Sequence, residues 1–260
     1  MNPIPHISAK ASHYNKEAQY YDNFNEKNSE SITKFIETIL KKYNVNTVLD
    51  LTCGTGSQVF WLAKRGYGVV GSDINPKMLN IAKDKAKRQK LDINFIKGDM
   101  RTTKAGNFDA VVTIFNAVGH LTKGDFEKAM RNIHENLNEK GIFVFDIFNL
   151  NYLLKDDNIT KLTIDGQKKS GDTTVREIQY STISADGVLA SYDIYHEQIG
   201  SNKPKITKAF QTLQVYSAKQ LKDMLKKNGF KILRQCKIDG SRLSEYKTDR
   251  IVTVAMKEGE

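Results

Sequence analysis

Apolar positions along this chain follow one rhythm up to about residue 153 and a different one after it. In Ser29 to Lys42, Ile32, Phe35, Ile36, Ile39 and Leu40 fall at helical spacing, which predicts a helix with one apolar face. Val59, Leu62 and Ala63 repeat the pattern, as do Met78, Leu79, Ile81 and Ala82. A further helix is expected over Phe126, Met130, Ile133 and Leu137, stopped by Gly141. Between the helices lie short apolar runs, Val45 to Leu49, Gly68 to Asp73, Ile93 to Met100, Phe108 to Asn116 and Ile142 to Phe148. Short runs alternating with helices predict parallel strands under covering helices.

From about Thr160 to Tyr216 the chain instead carries β-prone runs, Thr173 to Ser184 and Gly187 to Gly200, around the hairpin signal Ala185-Asp186-Gly187. The first rhythm then returns with a helix over Ser217 to Asn228, a stop at Gly229, and strands over Phe230 to Ile238 and Arg250 to Met256. The fold class expected is α/β: a Rossmann-like, doubly wound, mainly parallel seven-stranded sheet with an inserted antiparallel β subdomain. Residues 1–44 are expected to form a helical lid or packing segment, 45–152 the nucleoside-binding core, 153–216 the insertion, and 217–260 the return of the core.

Asp50-Leu51-Thr52-Cys53-Gly54-Thr55-Gly56 follows directly on the first strand and reads as strand, glycine loop, helix. Glycine lets the backbone turn sharply at a strand's carboxyl end and approach a nucleoside closely, and it also serves turns with no ligand. The next strand ends in Asp73, where a carboxylate accepts two ribose hydroxyls or else caps a helix. Asn75-Pro76 already supplies a cap and a first-turn proline, which frees Asp73 from that role. Ser57-Gln58-Val59 follow Gly56 without a third glycine, so tight packing of a helix against a dinucleotide pyrophosphate is not provided for.

These motifs resemble those of the class I S-adenosylmethionine-dependent methyltransferases, whose first strand ends in D/E-x-x-C-G-T-G and whose second ends in an acidic residue. Ile93 to Met100 looks like that family's third strand, with Asp99 on the adenine amino group and Met100 on the adenine face, and Phe108 to Asn116 like its fourth. Tyr21-Asp22-Asn23-Phe24, Phe115-Asn116-Ala117-Val118-Gly119-His120-Leu121 and the late insertion extend the resemblance over nearly the whole chain. It is nearest to glycine N-methyltransferase and the aminosugar N,N-dimethyltransferases. The resemblance implies S-adenosyl-L-methionine as cofactor, with S-adenosyl-L-homocysteine as product. The implied cofactor contacts are Asp50, Thr52, Gly54, Gly56, Asp73, Ile74, Met78, Asp99, Met100 and Phe115. The chemistry is in-line transfer of a methyl group to N or O of a small-molecule acceptor.

His120, just past the fourth strand, is the candidate to accept a proton near neutral pH, its alternative being an exposed loop histidine. Tyr21, expected just before the first helix, is the second catalytic candidate, or else a packing aromatic. Phe148 and Asn116 are the candidate acceptor contacts. Glycine N-methyltransferases run their fifth strand into an arginine that grips a carboxylate, and Phe148 stands there instead. That predicts an acceptor without a carboxylate at that point and with an apolar or ring-shaped body.

The 260 residues carry a net charge of +10, which keeps an RNA-modifying methyltransferase as the alternative reading. The lysines, however, spread over helix faces such as Lys83, Lys85, Lys87 and Lys90, without the arginine and aromatic interleaving that reads bases. No Asn/Asp-Pro-Pro-Tyr follows the fourth strand, which argues against base methylation, and no Cys/His or carboxylate set has metal-ligand spacing. Two cysteines argue against a disulfide framework, and Cys53 reads as a small apolar filler. No apolar run reaches the roughly 20 residues of a membrane span, so a cytoplasmic enzyme with no membrane partner is expected, as monomer or homodimer.

Overall fold

The structure is a computed structural model that describes residues 4–15, 18, 21–155 and 162–259, the side chains of 23–29 and of Ser170 excepted. Its strands are β1 (Thr47–Asp50), β2 (Gly68–Asp73), β3 (Asn94–Lys97), β4 (Phe108–Thr113), β5 (Leu137–Phe148), β6 (Thr163–Ser170), β7 (Thr173–Ile183), β8 (Val188–Ile199), β9 (Lys205–Gln214), β10 (Phe230–Cys236) and β11 (Arg250–Lys257). Its helices are α1 (Tyr21–Lys42), α2 (Ser57–Ala63), α3 (Pro76–Gln89), α4 (Lys123–Glu135), α5 (Leu150–Leu154) and α6 (Ala218–Lys227).

Seven strands form one sheet in the order β10-β11-β5-β4-β1-β2-β3. β1 to β5 run parallel, and β11 lies antiparallel between β5 and β10. Both faces are buried, as a parallel sheet requires. Val48, Ala110, Val112, Val144 and Val254 pack under α1, while their neighbours Leu49, Val111, Phe143, Phe145 and Ile251 pack under α4 and α6. This is the doubly wound sheet expected. β6 to β9 make a separate antiparallel sheet in sequence order, joined to the core where Leu189, Leu213 and Val215 pack on Leu150 and Leu153 of α5. Among the described residues no helix is long and apolar enough to cross a membrane.

Two boundaries differ from expectation. α1 begins at Tyr21 rather than Ser29, because the polar run Asn23 to Asn28 carries no apolar period to mark it. α4 ends at Glu135, and Leu137 opens β5 instead of closing the helix. There the buried Asn136 turns the chain, its amide donating to the carbonyls of Thr103 and Asn132. Leu137 then pairs with Phe108 ahead of a register shift, so Gly141 lies inside a bulged strand.

Candidate active site

The winding of the sheet reverses between β1 and β4, and in open α/β sheets the crevice outside the strands' carboxyl ends at that point takes the ligand. β1 delivers Asp50 to it, and the following loop turns through left-handed backbone at Gly54 (φ +53°) and Gly56 (φ +90°). A Cβ on Gly56 would stand 2.7 Å from the Phe60 ring, so this position admits only glycine without rearrangement.

Two adjoining hollows open over this loop. The larger encloses about 800 Å³, part of it open to solvent, and is walled by Thr52, Gly54, Asp73, Ile74, Met78, Asp99, Met100, Phe115, Tyr21 and His120 among others. Cofactor and small-molecule sites occupy ~300–1,000 Å³. The smaller is walled by Asp50, Thr52, Gly54, Gln58, Tyr21 and Phe115. Of the residues expected in the site, Gly56, Asn116 and Phe148 line neither hollow.

The smaller hollow carries unsatisfied polar groups. Both amide atoms of the buried Gln58 and the hydroxyl of Thr52 have no hydrogen-bond partner. Asp50 beside them is fully buried and accepts one bond, from the Thr52 amide at 3.1 Å. Desolvation, opposed by that bond and reinforced by the charge of Asp73, raises its pKa from 3.8 to about 7. Asp73 accepts from the Gly54 amide (Oδ2, 2.8 Å) and the Asn75 amide (Oδ1, 2.8 Å). The cap of α3 is Asn75 itself, whose Oδ1 accepts from Lys77 and Met78, with Pro76 following. At the far end Arg101 grips Asp99, Nε at 2.9 Å from Oδ1 and Nη2 at 2.5 Å from Oδ2. Burial pushes the Asp99 carboxyl up, but Arg101 outweighs it and the net shift is downward.

Residues 48–141 match the family model of the methyltransferase domain. A putative methyltransferase of Geobacillus sp. strain WCH70 is 30% identical over 152 residues, 55% of this chain and 62% of that protein. Glycine N-methyltransferase of Rattus norvegicus is 30% identical over 131 residues, 45% of either chain. This chain thus spans less than two thirds of either relative. Among solved structures, an S-adenosylmethionine-dependent methyltransferase from Clostridium acetobutylicum superposes with a TM-score of 0.79 at 20% identity, covering 95% of this chain and 99% of that one. The sugar N-methyltransferase KedS8 from Streptoalloteichus sp. gives 0.76 at 16% identity, over 100% and 98%. The chain belongs to the class I S-adenosylmethionine-dependent methyltransferases.

The family's cofactor, S-adenosylmethionine, fits the groups found here. The orphaned donors and acceptors of Gln58 and Thr52, with Asp50, are what an amino acid's ammonium and carboxylate would satisfy. The Asp73 carboxylate stands 19 residues beyond Gly54, held by that glycine's own amide.

Three features of this methyltransferase were not visible in its sequence. The first is a strap, residues 4–15, lying across the larger hollow. His6 bridges the Leu121 carbonyl (3.0 Å) and the Thr212 hydroxyl (2.9 Å). Ser8 donates to Asp125 (2.6 Å) and accepts from the Thr122 amide (3.0 Å), and the Ala9 amide donates to the His120 carbonyl (2.8 Å). Asp125 also holds Arg101 at 2.7 Å, so the strap and Asp99 share one network. The second is the anchorage of α1, where Asp22 accepts from the Thr55 hydroxyl at 2.5 Å and pairs with Lys85, fixing the Tyr21-Asp22 element on the glycine loop.

The third feature is a group of four rings, His13, Tyr14, Tyr21 and His120, on the wall of the larger hollow. Their centroids lie 4.7–5.7 Å apart, edge to face. The Tyr14 hydroxyl and His120 Nε2 are 2.6 Å apart, and His120 Nδ1 is unpartnered. His120 is therefore neither an exposed loop residue nor a base poised near neutrality: desolvation first, then His13 and His6, lower its pKa from 6.5 to about 3. Tyr21 is the first residue of α1, and desolvation, with Asp73 adding to it, raises its phenol from 10.0 to about 12.

Asn116 and Phe148 are occupied in holding the fold. The left-handed pair Phe115 and Asn116 donates its amides to the fully buried Asp146 (2.6 and 3.4 Å), and Asn116 Oδ1 accepts from the Phe148 amide at 2.8 Å. Phe148 packs beside α5, and Arg250, opposite it on β11, sits 5.1 Å over its ring with Nε 3.3 Å from Asp146. A guanidinium thus occupies this edge from the neighbouring strand, and Phe148 gives no ground for excluding a carboxylate acceptor.

Proposed function

We propose that this methyltransferase acts on a small-molecule amine, methylating its nitrogen by in-line displacement. The observation that carries the reading is the four-ring wall beside the glycine loop. In the proposed complex Asp50, Thr52 and Gln58 hold the amino-acid end of the cofactor, Asp73 its ribose, and Met100 and Ile74 its base. The bound cofactor supplies an activated methyl on a sulfonium. As that methyl is transferred, an acceptor nitrogen gains positive charge, which aromatic rings stabilise better than they stabilise the uncharged product of hydroxyl methylation. The neutral His120 and the Tyr14 hydroxyl orient the acceptor and do not store its proton. An ammonium entering this desolvated wall loses its proton to solvent more readily than in water. Most of the acceleration then comes from alignment, with the nucleophile near ~3 Å and in line.

The sugar N-methyltransferase fold neighbour and the glycine N-methyltransferase relative both support a small acceptor. The test is a metabolite pool incubated with the protein and methyl-labelled cofactor, read by mass spectrometry. Label in low-molecular-weight amines is expected. Label confined to hydroxyl compounds or to RNA overturns the acceptor class. Thermal stabilisation by S-adenosylhomocysteine and not by NAD checks the cofactor separately.

A further inference from the structure

The outer sheet bares large apolar side chains in ordered rows. Residues alternate between faces along a strand, and paired residues share a face. Register places Thr163, Tyr180, Tyr192 and Phe210 in one cross-strand row, and Asp165, Ile178, Ile194 and Lys208 in the next. Beyond it come Gln167, Arg176, His196 and Ile206. Tyr180, Tyr192, Phe210 and Ile206 on this face are 50%, 45%, 52% and 61% exposed, and Ile178 and Ile194 are half-buried between them. A patch of this kind on a protein surface marks a contact.

We propose that this face pairs with the same face of a second copy of the chain, around a two-fold axis running along the strands between β7 and β8. Aligned packing keeps the strand directions of two facing sheets within about 30°. Rotation about that axis lays β6 of one copy over the partner's β9. The tyrosine row then meets itself reversed, apolar on apolar. In the next row, Asp165 falls over the partner's Lys208, and Lys208 over the partner's Asp165, so the acidic and basic ends of one row complement each other twice. A self-contact is isologous, and this row meets that condition.

The area is of the right size. Four large residues near half exposure, each of ~200 Å², contribute ~400 Å² of apolar centre, and a polar rim completes the ~800 Å² per partner of a standard interface. A polyanion fits this face less well. Of its cations Lys169, Arg176 and Lys208, the arginine is already neutralised by Asp165 at 2.7 Å, and the centre is uncharged.

Sedimentation equilibrium of the full chain tests the pairing. A dimer is expected at ~100 µM, a concentration that saturates a micromolar complex. Tyr192→Glu is expected to give a monomer with the melting profile of its own folded state intact by circular dichroism. Asp165→Lys alone and Lys208→Asp alone each set like charges together and weaken association at least ~10-fold. An equimolar mixture of those two variants, or the double variant Asp165→Lys/Lys208→Asp, recovers it. A monomeric wild type, single charge variants that dimerise as tightly as wild type, or a mixture that stays monomeric overturns the proposal. So does a monomer that instead sediments with phosphatidylglycerol vesicles, which would make a lipid surface the occupant.

Discussion

Asp50 is held in an environment that disfavours its charge, and its replacement by Asn tests what that environment is for. Its folded pKa of about 7 lies roughly three units above the 3.8 of an exposed aspartate. At ~1.4 kcal/mol per unit, ionising it in the folded protein without ligand costs about 4 kcal/mol. The sign follows from linkage. A carboxyl whose folded pKa is raised contributes stability below the unfolded pKa and loses it as pH rises through the folded pKa. The loss runs from about pH 4 to about pH 7, reaching ~2 kcal/mol by pH 5 and ~4 kcal/mol by pH 8. Asp50→Asn keeps the shape and removes this pH-dependent cost. The difference in stability between variant and wild type, both without cofactor, should therefore widen by ~2 kcal/mol in the variant's favour between pH 5 and pH 8. In a chain of this length that is ~4–8 °C in melting temperature. The assay is a paired thermal melt at the two pH values, in which every other titrating group cancels. In the same preparations, affinity for S-adenosylhomocysteine should fall by ~2 kcal/mol or more in the variant, since a buried partner charge has been removed. A difference in melting temperature that stays constant or narrows as pH rises would refute the reasoning.

Tyr14→Phe and His120→Ala should each lower kcat by ~10–100-fold with cofactor affinity retained, and neither should remove a limb near pH 6.5 from the rate profile. A wild-type limb at that pH that vanishes in His120→Ala would show the imidazole titrating after all. Gly56→Ala forces a left-handed residue and a contact with Phe60, and should destabilise the fold by ~1–3 kcal/mol in urea melts. Arg101→Met cuts the link between Asp99 and Asp125, so stopped-flow release of S-adenosylhomocysteine should quicken several-fold. Unchanged release would mean that the network does not restrain exchange.

How much the sequence discloses depends on how local each feature is. The glycine loop, Asp73 and the Asn75-Pro76 cap are legible because their chemistry lies within a few residues of a strand end. The antiparallel insertion is legible because Ala185-Asp186-Gly187 marks its hairpin, where Gly187 takes φ +88°. The strap is illegible: its bonds join residues 60 to 206 positions apart and follow no apolar period. Arg250 is hidden for a related reason. Its place opposite Phe148 depends on the register of an antiparallel pair, which strand composition does not encode. Gln58 stood in plain view as a loop residue, and only its burial without a partner marks it as part of the site.

The strap has a kinetic consequence. It touches the adenine-side carboxylate through Arg101, the ring wall through His120 and the outer sheet through Thr212, so whatever enters or leaves the larger hollow must wait for these bonds to part. At ~1 kcal/mol net per hydrogen bond, they hold the open form to a minor population, and the entry rate is scaled by that fraction. Turnover would then be paced by the unlatching of the chain's first residues, with the spent cofactor as the last to depart.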